Sequence, residues 1–352
     1  MNETIELIPR QKTILAFLAQ FEKLSREQIA EKLEIIYPVS KATLARDLSE
    51  LLERGQVVAV GNGPARFYRL TFQHPLLKTI DLHQYFAFDA DQRQGVKTSF
   101  NNGLFVHLHD LLSKDEQSKF QNIFRSFTQA TEKVDATIRQ RELERFVIEL
   151  SWKSSKIEGN TYTLLETERL IKENQETQGH PKQEAVMILN HKDAFQTIVK
   201  DRHAFRKINL RSIVELHNVL TKNLNIESGI RKHAVGITGT TYKPLDNEWE
   251  IKEALEKLII TVNSTAYPLE KGLIIASMMA YLQPFADGNK RTARMLANAV
   301  LLAHDYFPLS YRSVDENEYK LAQILFYETH NVYHVKRLFL EQYTFALSTY
   351  FI

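Results

Sequence analysis

The 352-residue chain contains no cysteine, which removes disulfides, thiolate nucleophiles, iron–sulfur clusters and thiolate zinc sites and points to a reducing, cytoplasmic setting. An excess of either charge is missing too: 45 Lys plus Arg stand against 43 Asp plus Glu, a formal net charge of +2. Affinity for a polyanion must therefore come from a local patch. Long apolar runs are absent. The stretch Leu273 to Leu282 stops at Gln283 and Pro284, and Met295 to Ala303 is interrupted by Asn298, so neither reads as a bilayer span. The start, MNETIELIPRQK, mixes acids and bases without a continuous apolar core and does not read as a secretory signal. What is present is ordinary: 43% hydrophobic and 25% charged residues exclude a disordered or collagen-like chain, and the length allows two or three domains.

Residues 10 to 70 carry a pattern of their own. Ile14, Leu15, Phe17, Leu18 and Phe21 recur at helical spacing, and Ser25 with Gln28 has the form of a capping box opening a second helix with Ile29, Ala30 and Leu33. After Pro38, Ser40 is placed to cap a third helix whose Leu44, Leu48, Leu51 and Leu52 share a face, until Gly55 ends it. Val57 to Val60, the turn Gly61-Asn62-Gly63-Pro64 and Ala65 to Leu70 read as a hairpin. Three short helices followed by a two-stranded wing resemble a winged helix-turn-helix over residues 1–72, with Lys41, Thr43 and Arg46 as the expected DNA contacts of its recognition helix. Between residues 41 and 70 five bases meet three acids, a thin electrostatic footprint, so protein docking or dimerisation stays open as the alternative role.

Residues 73–144 read as a connector and a helical N-terminal part, with a turn-rich stretch at Asp89 to Gly95. Beyond about residue 101 the pattern is helical, except that Gly229 to Pro244 has the β-branched and glycine content of a short hairpin. The informative segment is Gln283 to Arg294. An apolar helix stops at Pro284 and a new one starts near Asn289, so the loop between them sits at a helix N-terminus. There the amides of Gly288, Asn289 and Lys290 are expected to point out unpaired and the helix dipole favours an anion, the outline of a phosphate cradle. Asp287 offers a hard oxygen suited to Mg²⁺ shared with nucleotide phosphates; Arg291 and Arg294, three apart on one face, add charge. Spacing alone fits equally an Asp-Gly turn before a surface helix with two solvated arginines.

This run resembles the signature of the Fic/Doc family, His-x-Phe-x-Asp/Glu-Gly-Asn-Gly/Lys-Arg-x-x-Arg, at every specified position except the first. Ser154-Ser155-Lys156-Ile157-Glu158-Gly159-Asn160 resembles the family's inhibitory motif. Glu215 to Asn218 and Ser228 to Arg231 resemble the segments leading into its flap, and Gly236 to Gly239 with Tyr242 to Pro244 resembles the flap itself. The resemblance implies a mainly α fold, a Fic-type helical core with a β-hairpin flap over residues 145–345 and an inhibitory helix near 150–160, preceded by the winged helix. It implies binding of ATP with Mg²⁺ and transfer of AMP to a hydroxyl side chain of a target protein. In that scheme Asp287 holds the metal; Gly288, Asn289 and Lys290 form the nucleotide loop, with Asn289 at the α-phosphate; Arg291 and Arg294 hold the outer phosphates. Glu158 reaches Arg294 and denies it to the γ-phosphate, and Val235, Gly236, Ile237 and Thr238 register the target by strand pairing.

Two positions depart from the pattern. Gln283 stands where the family's histidine takes the proton of the attacking hydroxyl; an amide has no titratable lone pair near neutrality, and loss of a positioned base commonly costs ~10²–10⁴-fold. Lys290 stands where adenylylating relatives usually carry glycine and resembles the Doc branch, associated with phosphoryl transfer. Three readings follow: an adenylyltransferase weakened by Gln283 and autoinhibited by Glu158, a catalytically inactive nucleotide-sensing DNA-binding regulator, and a Doc-like protein phosphotransferase. No membrane partner is expected, and a homodimer is left open. His217 reads as a packed histidine, and Tyr242 and Trp249 as aromatics for adenine stacking or for the core.

Overall fold

Ser25 and Ser40 open helices as their spacing suggests. The Ser25 hydroxyl accepts from the Gln28 amide (3.2 Å) while the Gln28 side chain accepts from Ser25 N (2.8 Å), and Ser40 Oγ accepts from Thr43 N (3.2 Å). The computed structural model describes residues 7–21, 23–61, 63, 66–70, 74–132 and 134–351, and the chain divides into the units Met1–Asp81 and Leu82–Ile352.

The first unit holds α1 (Pro9–Gln20), β1 (Leu24–Ser25), α2 (Arg26–Glu34), α3 (Lys41–Glu53), β2 (Val57–Val60) and β3 (Phe67–Leu70). The strands pair antiparallel in the order β1-β3-β2, with Val57 opposite Leu70 and Leu24 opposite Tyr68. At two residues, β1 is too short to leave a period in the sequence. Ile14, Leu18, Ile29, Leu33, Leu44, Leu48, Leu51 and Val57 form one buried cluster, and Arg10 straps α1 to α3 by two bonds to Asp47 (2.5 and 3.0 Å). Asn62 and Pro64 of the expected turn and Ala65 of the strand after it lie outside the described residues, as do residues 1–6.

The second unit runs through α4 (Leu82–Tyr85), a 3₁₀ turn (Asn102–His107), α5 (Lys114–Thr131), α6 (Ala136–Ile157), α7 (Leu164–Glu173), α8 (Lys182–Lys200) and a 3₁₀ turn (Arg202–Phe205). It continues through α9 (Leu210–Thr221), α10 (Glu248–Ser264), α11 (Pro268–Leu282), α12 (Asn289–Ala303), α13 (Glu316–Thr329) and α14 (Tyr333–Thr349). A helix apolar all round belongs in a core, and α11 is buried continuously from Leu269 to Leu282. Helix α12 packs along it. Around this pair, α10, α13 and α14 touch α11, while α6, α8 and α9 touch α12. Among the described residues no helix is long and apolar enough to cross a membrane.

One stretch differs from expectation. Residues 229–244 form a loop with a turn at Thr238–Gly239 and no strand ladder; the one bridge there joins Lys243 to Ser99. Arg231 supplies the ties that cross-strand bonds would have made. Fully buried, it donates through Nε to Gln283 O (2.7 Å), through Nη1 to His233 O (2.7 Å) and through Nη2 to Leu245 O. The stretch at 89–95 is turn-rich and mostly exposed, anchored by Arg93, whose buried side chain pairs with Glu328 (3.2 Å) and donates to Gly239 O (2.6 Å).

Candidate functional site

The site begins with the way α11 stops. Pro284 disfavours a helical residue before it, and Gln283 takes the left-handed conformation (φ 50°) as the C-cap, its N–H still donating to Met279 O (3.1 Å). The turn is closed by Asn289. Its Oδ1 accepts from Phe285 N (2.9 Å), and its Nδ2 donates to Phe285 O (2.8 Å) and to Gln283 Oε1 (2.9 Å). Gln283 Nε2 donates in turn to Ala280 O of α11 (2.6 Å), so both ends of that carboxamide are spent within the junction. The Asn289 side chain is thus occupied with bracing the turn, and what this residue offers an anion is its backbone N–H.

From the other side, the Phe285 ring stacks on His217 (centroids 3.7 Å apart, planes at 10°), and His217 Nε2 donates to Asp287 O (2.9 Å). Burial lowers the His217 pKa, and the Arg291 charge adds to that effect, which suits a neutral packed ring. Gly288 begins α12 at φ 80°; a Cβ there would lie 3.0 Å from Thr221 Cγ2 and 3.4 Å from Arg291 Nη2. Glycine is therefore required by conformation and by space. Its N–H, expected to point outward, is taken by Asp287 Oδ1 (2.6 Å), because an Asp side chain readily closes onto the amides that follow it. The first i to i−4 bond across this junction is donated by Thr292 to Gly288 O (2.9 Å), so the amides of Asn289, Lys290 and Arg291 form the open N-terminal turn.

The cations gather behind this turn. Arg291 is 3% exposed, with Nη2 3.4 Å from the Asp287 carboxylate. Arg294 is 1% exposed; its Nη2 pairs with Glu158 Oε1 (2.8 Å) and donates to Ser154 O (2.8 Å), and its Nε donates to Ser154 Oγ (2.9 Å). Glu158 caps α6 at its C-terminal end, with Lys290 Nζ 3.9 Å from its other oxygen. Burial pushes the Glu158 carboxyl up; Arg294, Lys290 and Arg291 pull it down further, and the net result lies below its ordinary value. Nη1 of Arg291 and Nη1 of Arg294 are buried with no hydrogen-bond partner among the described residues, two donors in want of an acceptor.

A cavity of about 410 Å³ opens onto this arrangement. It brings together Gln283, Asp287, Gly288, Asn289 and Lys290 of the loop, Glu158 of the α6 end and Val235 to Thr238 of the 229–244 loop. Arg291 and Arg294 do not line it; Glu158 covers Arg294. Lys320, Gln323, Ile324 and Tyr327 of α13 complete the wall, and no sequence signal marked them, since they are one face of an ordinary amphipathic helix. Neither aromatic weighed for adenine lines it. Tyr242 is buried, stacked on Tyr281 (4.7 Å) and bonded to Tyr281 O (2.9 Å), whereas Trp249 is 77% exposed. In the first unit, Lys41 and Arg46 are exposed on α3 and Thr43 Oγ1 contacts Ser40 Oγ (3.0 Å).

Comparison with known proteins bears on this geometry. Residues 207–301 match the family model described as the Fic/DOC family, and the chain carries a domain of that kind. It is 26% identical over 187 residues to a protein adenylyltransferase Fic of Nematostella vectensis, covering 51% of this chain and 43% of the relative. The chain spans less than half the length of the curated relatives of this kind. Among solved structures, Fic-1 from C. elegans superposes with a TM-score of 0.56 at 19% identity, over 66% of this chain and 71% of that one. A Fic domain containing signaling protein from Bacteroides thetaiotaomicron gives a TM-score of 0.55 at 18% identity, over 66% and 94%. The mainly helical core is a Fic-type fold.

Proposed function

We propose that the second unit binds ATP at the loop 283–290 and transfers AMP to a hydroxyl side chain of another protein, held back by Glu158 and slowed by Gln283. The observation that carries this reading is the Glu158–Arg294 ion pair at 2.8 Å, set over a helix N-terminus and beside two orphaned guanidinium nitrogens. A carboxylate occupies the place an anionic oxygen would take. The amides of Asn289 to Arg291 suit the α-phosphate, and the arginines suit the outer phosphates once Glu158 withdraws. The Asp287 carboxyl group, whose side chain is 71% exposed, fits a Mg²⁺ ion shared with phosphate oxygens, which would neutralise phosphate charge.

In the transfer, the target's hydroxyl oxygen forms a bond to the α-phosphorus, the bond from that phosphorus to the α,β-bridging oxygen breaks, and pyrophosphate leaves. The hydroxyl proton must go to water or a phosphate oxygen, because Gln283 offers no basic lone pair. Names of relatives favour adenylyl over phosphoryl transfer. Lys290, 3.9 Å from Glu158, is the residue on which a Doc-like phosphotransferase reading would rest. A lysate incubated with the Glu158→Gly protein and ATP labelled at the α or the γ position decides: label from the α position alone supports adenylyl transfer, label from the γ position alone supports phosphoryl transfer, and none contradicts both.

A second reading is favoured by one observation. The Gln283 carboxamide is bonded at one end to the last turn of α11 and at the other to Asn289, an arrangement that stiffens a binding site without helping a reaction. On this reading the domain senses nucleotide, and the first unit, taken as a winged helix, contacts DNA through Lys41, Thr43 and Arg46; the cysteine-free composition agrees with a cytoplasmic setting for either role.

A further inference from the structure

Arg294 is held by more than the inhibitory carboxylate. Its Nε donates to Ser154 Oγ at 2.9 Å, and a hydroxyl that accepts from a guanidinium is free to send its own proton elsewhere. His191 Nε2, on α8, lies 2.9 Å from the same oxygen. The other ring nitrogen, Nδ1, is 2.8 Å from Met187 O, and a carbonyl can only accept. The proton therefore sits on Nδ1 and the lone pair on Nε2, an assignment made from the bonding pattern. Donation runs one way, from Arg294 to Ser154 to His191 to the Met187 carbonyl. Ser155 Oγ, 3.4 Å from Nδ1, is too distant to displace that carbonyl. The ring is fully buried, and burial together with the charges of Arg291 and Arg294 pushes it down to about 3, so it remains neutral and the direction of donation is constant at physiological pH.

We infer that His191 is a positioning residue for Arg294: by fixing the Ser154 hydroxyl it keeps Nε anchored while Nη2 exchanges between Glu158 and a phosphate oxygen. This rests on the reading of Arg294 as a phosphate ligand. Without the relay the Ser154 rotor is unfixed and a buried guanidinium nitrogen loses its defined acceptor, at a cost characteristic of charged hydrogen bonds. A ring that merely filled space would leave the arginine indifferent to its replacement by an apolar side chain of similar size.

The test uses the full chain carrying Glu158→Gly, alone and combined with His191→Leu, His191→Gln or Ser154→Ala. Titration with Mg·ATP is expected to show roughly tenfold weaker binding for the Leu and Ala combinations. The Gln combination, which can still accept from Ser154 and donate to Met187 O, should bind like Glu158→Gly alone. In parallel, nitrogen-detected NMR should show the Nδ1–H tautomer of His191 and slow exchange of Arg294 Nε–H in the parent, with exchange accelerated by His191→Leu and restored by His191→Gln. Should His191→Leu fail to fold, Ser154→Ala cuts the same link without emptying the ring's site. Equal ATP affinity and equal Nε–H exchange in all forms would overturn the inference. If Glu158→Gly binds no ATP, the nucleotide reading fails, and the exchange of Nε–H still decides the role of His191.

Discussion

Glu158 owes its charge to its neighbours. Burial alone would favour the protonated acid, yet Arg294, Lys290 and Arg291 hold the carboxyl below its ordinary 4.5. A depressed folded-state pKa contributes stability that is complete above the unfolded value and disappears as pH falls through the folded one. Glu158→Gln should therefore melt below the parent at pH 7, by about 1–2 kcal/mol of stability, and the gap should close as pH drops from 4.5 to below the folded value. Melts across pH check this, and a gap that persists in acid would assign the loss to packing. Gln283 makes the second residue-scale case. Ala280 O, which now accepts from the amide (2.6 Å), can accept from a histidine Nδ1–H and leave Nε2 as a base. Gln283→His combined with Glu158→Gly should raise incorporation of α-label by about 10²–10⁴-fold over Glu158→Gly alone. The expectation of a base at 283 came from the family resemblance, whereas the inward role of Asn289 had no signal in the sequence, because a carboxamide's residue type does not say whether it faces a ligand or closes a turn.

At the scale of elements, the junction between α11 and α12 is the piece on which the site depends. Its outline was legible, an apolar helix stopping at Pro284 and a new one starting near Asn289; that α11 is buried on every face, Glu270 and Lys271 included, was not. Gly288→Ala is expected to cost about 1–3 kcal/mol for the left-handed backbone, with further loss from the 3.0 Å approach to Thr221. A thermal melt alongside an ATP titration measures both; an unchanged melting temperature would show that the junction yields more easily than its packing implies. The 229–244 loop was harder to read, since β-branched composition suggests strand pairing but does not reveal that Arg231 donates to Gln283 O and His233 O (both 2.7 Å). Wall residues such as Tyr327 were invisible for a related reason: an amphipathic period tells which face of α13 is buried and is silent on which cavity that face meets.

For the whole molecule, two units with separate cores invite two separate tests. If the first unit contacts DNA phosphates, the double substitution Lys41→Ala and Arg46→Ala should reduce the slope of log K against log salt by about 2, near 0.9 per phosphate contact; salt-independent association would favour protein docking. The second unit's central claim is that a nucleotide site is built around Arg294 and shut by Glu158. It is tested most directly by titrating Mg·ATP into the parent and the Glu158→Gly protein by calorimetry. Binding at least about tenfold tighter is expected in Glu158→Gly, the competition of one buried ion pair being removed. No heat of binding in either protein, or equal affinity in both, would contradict it.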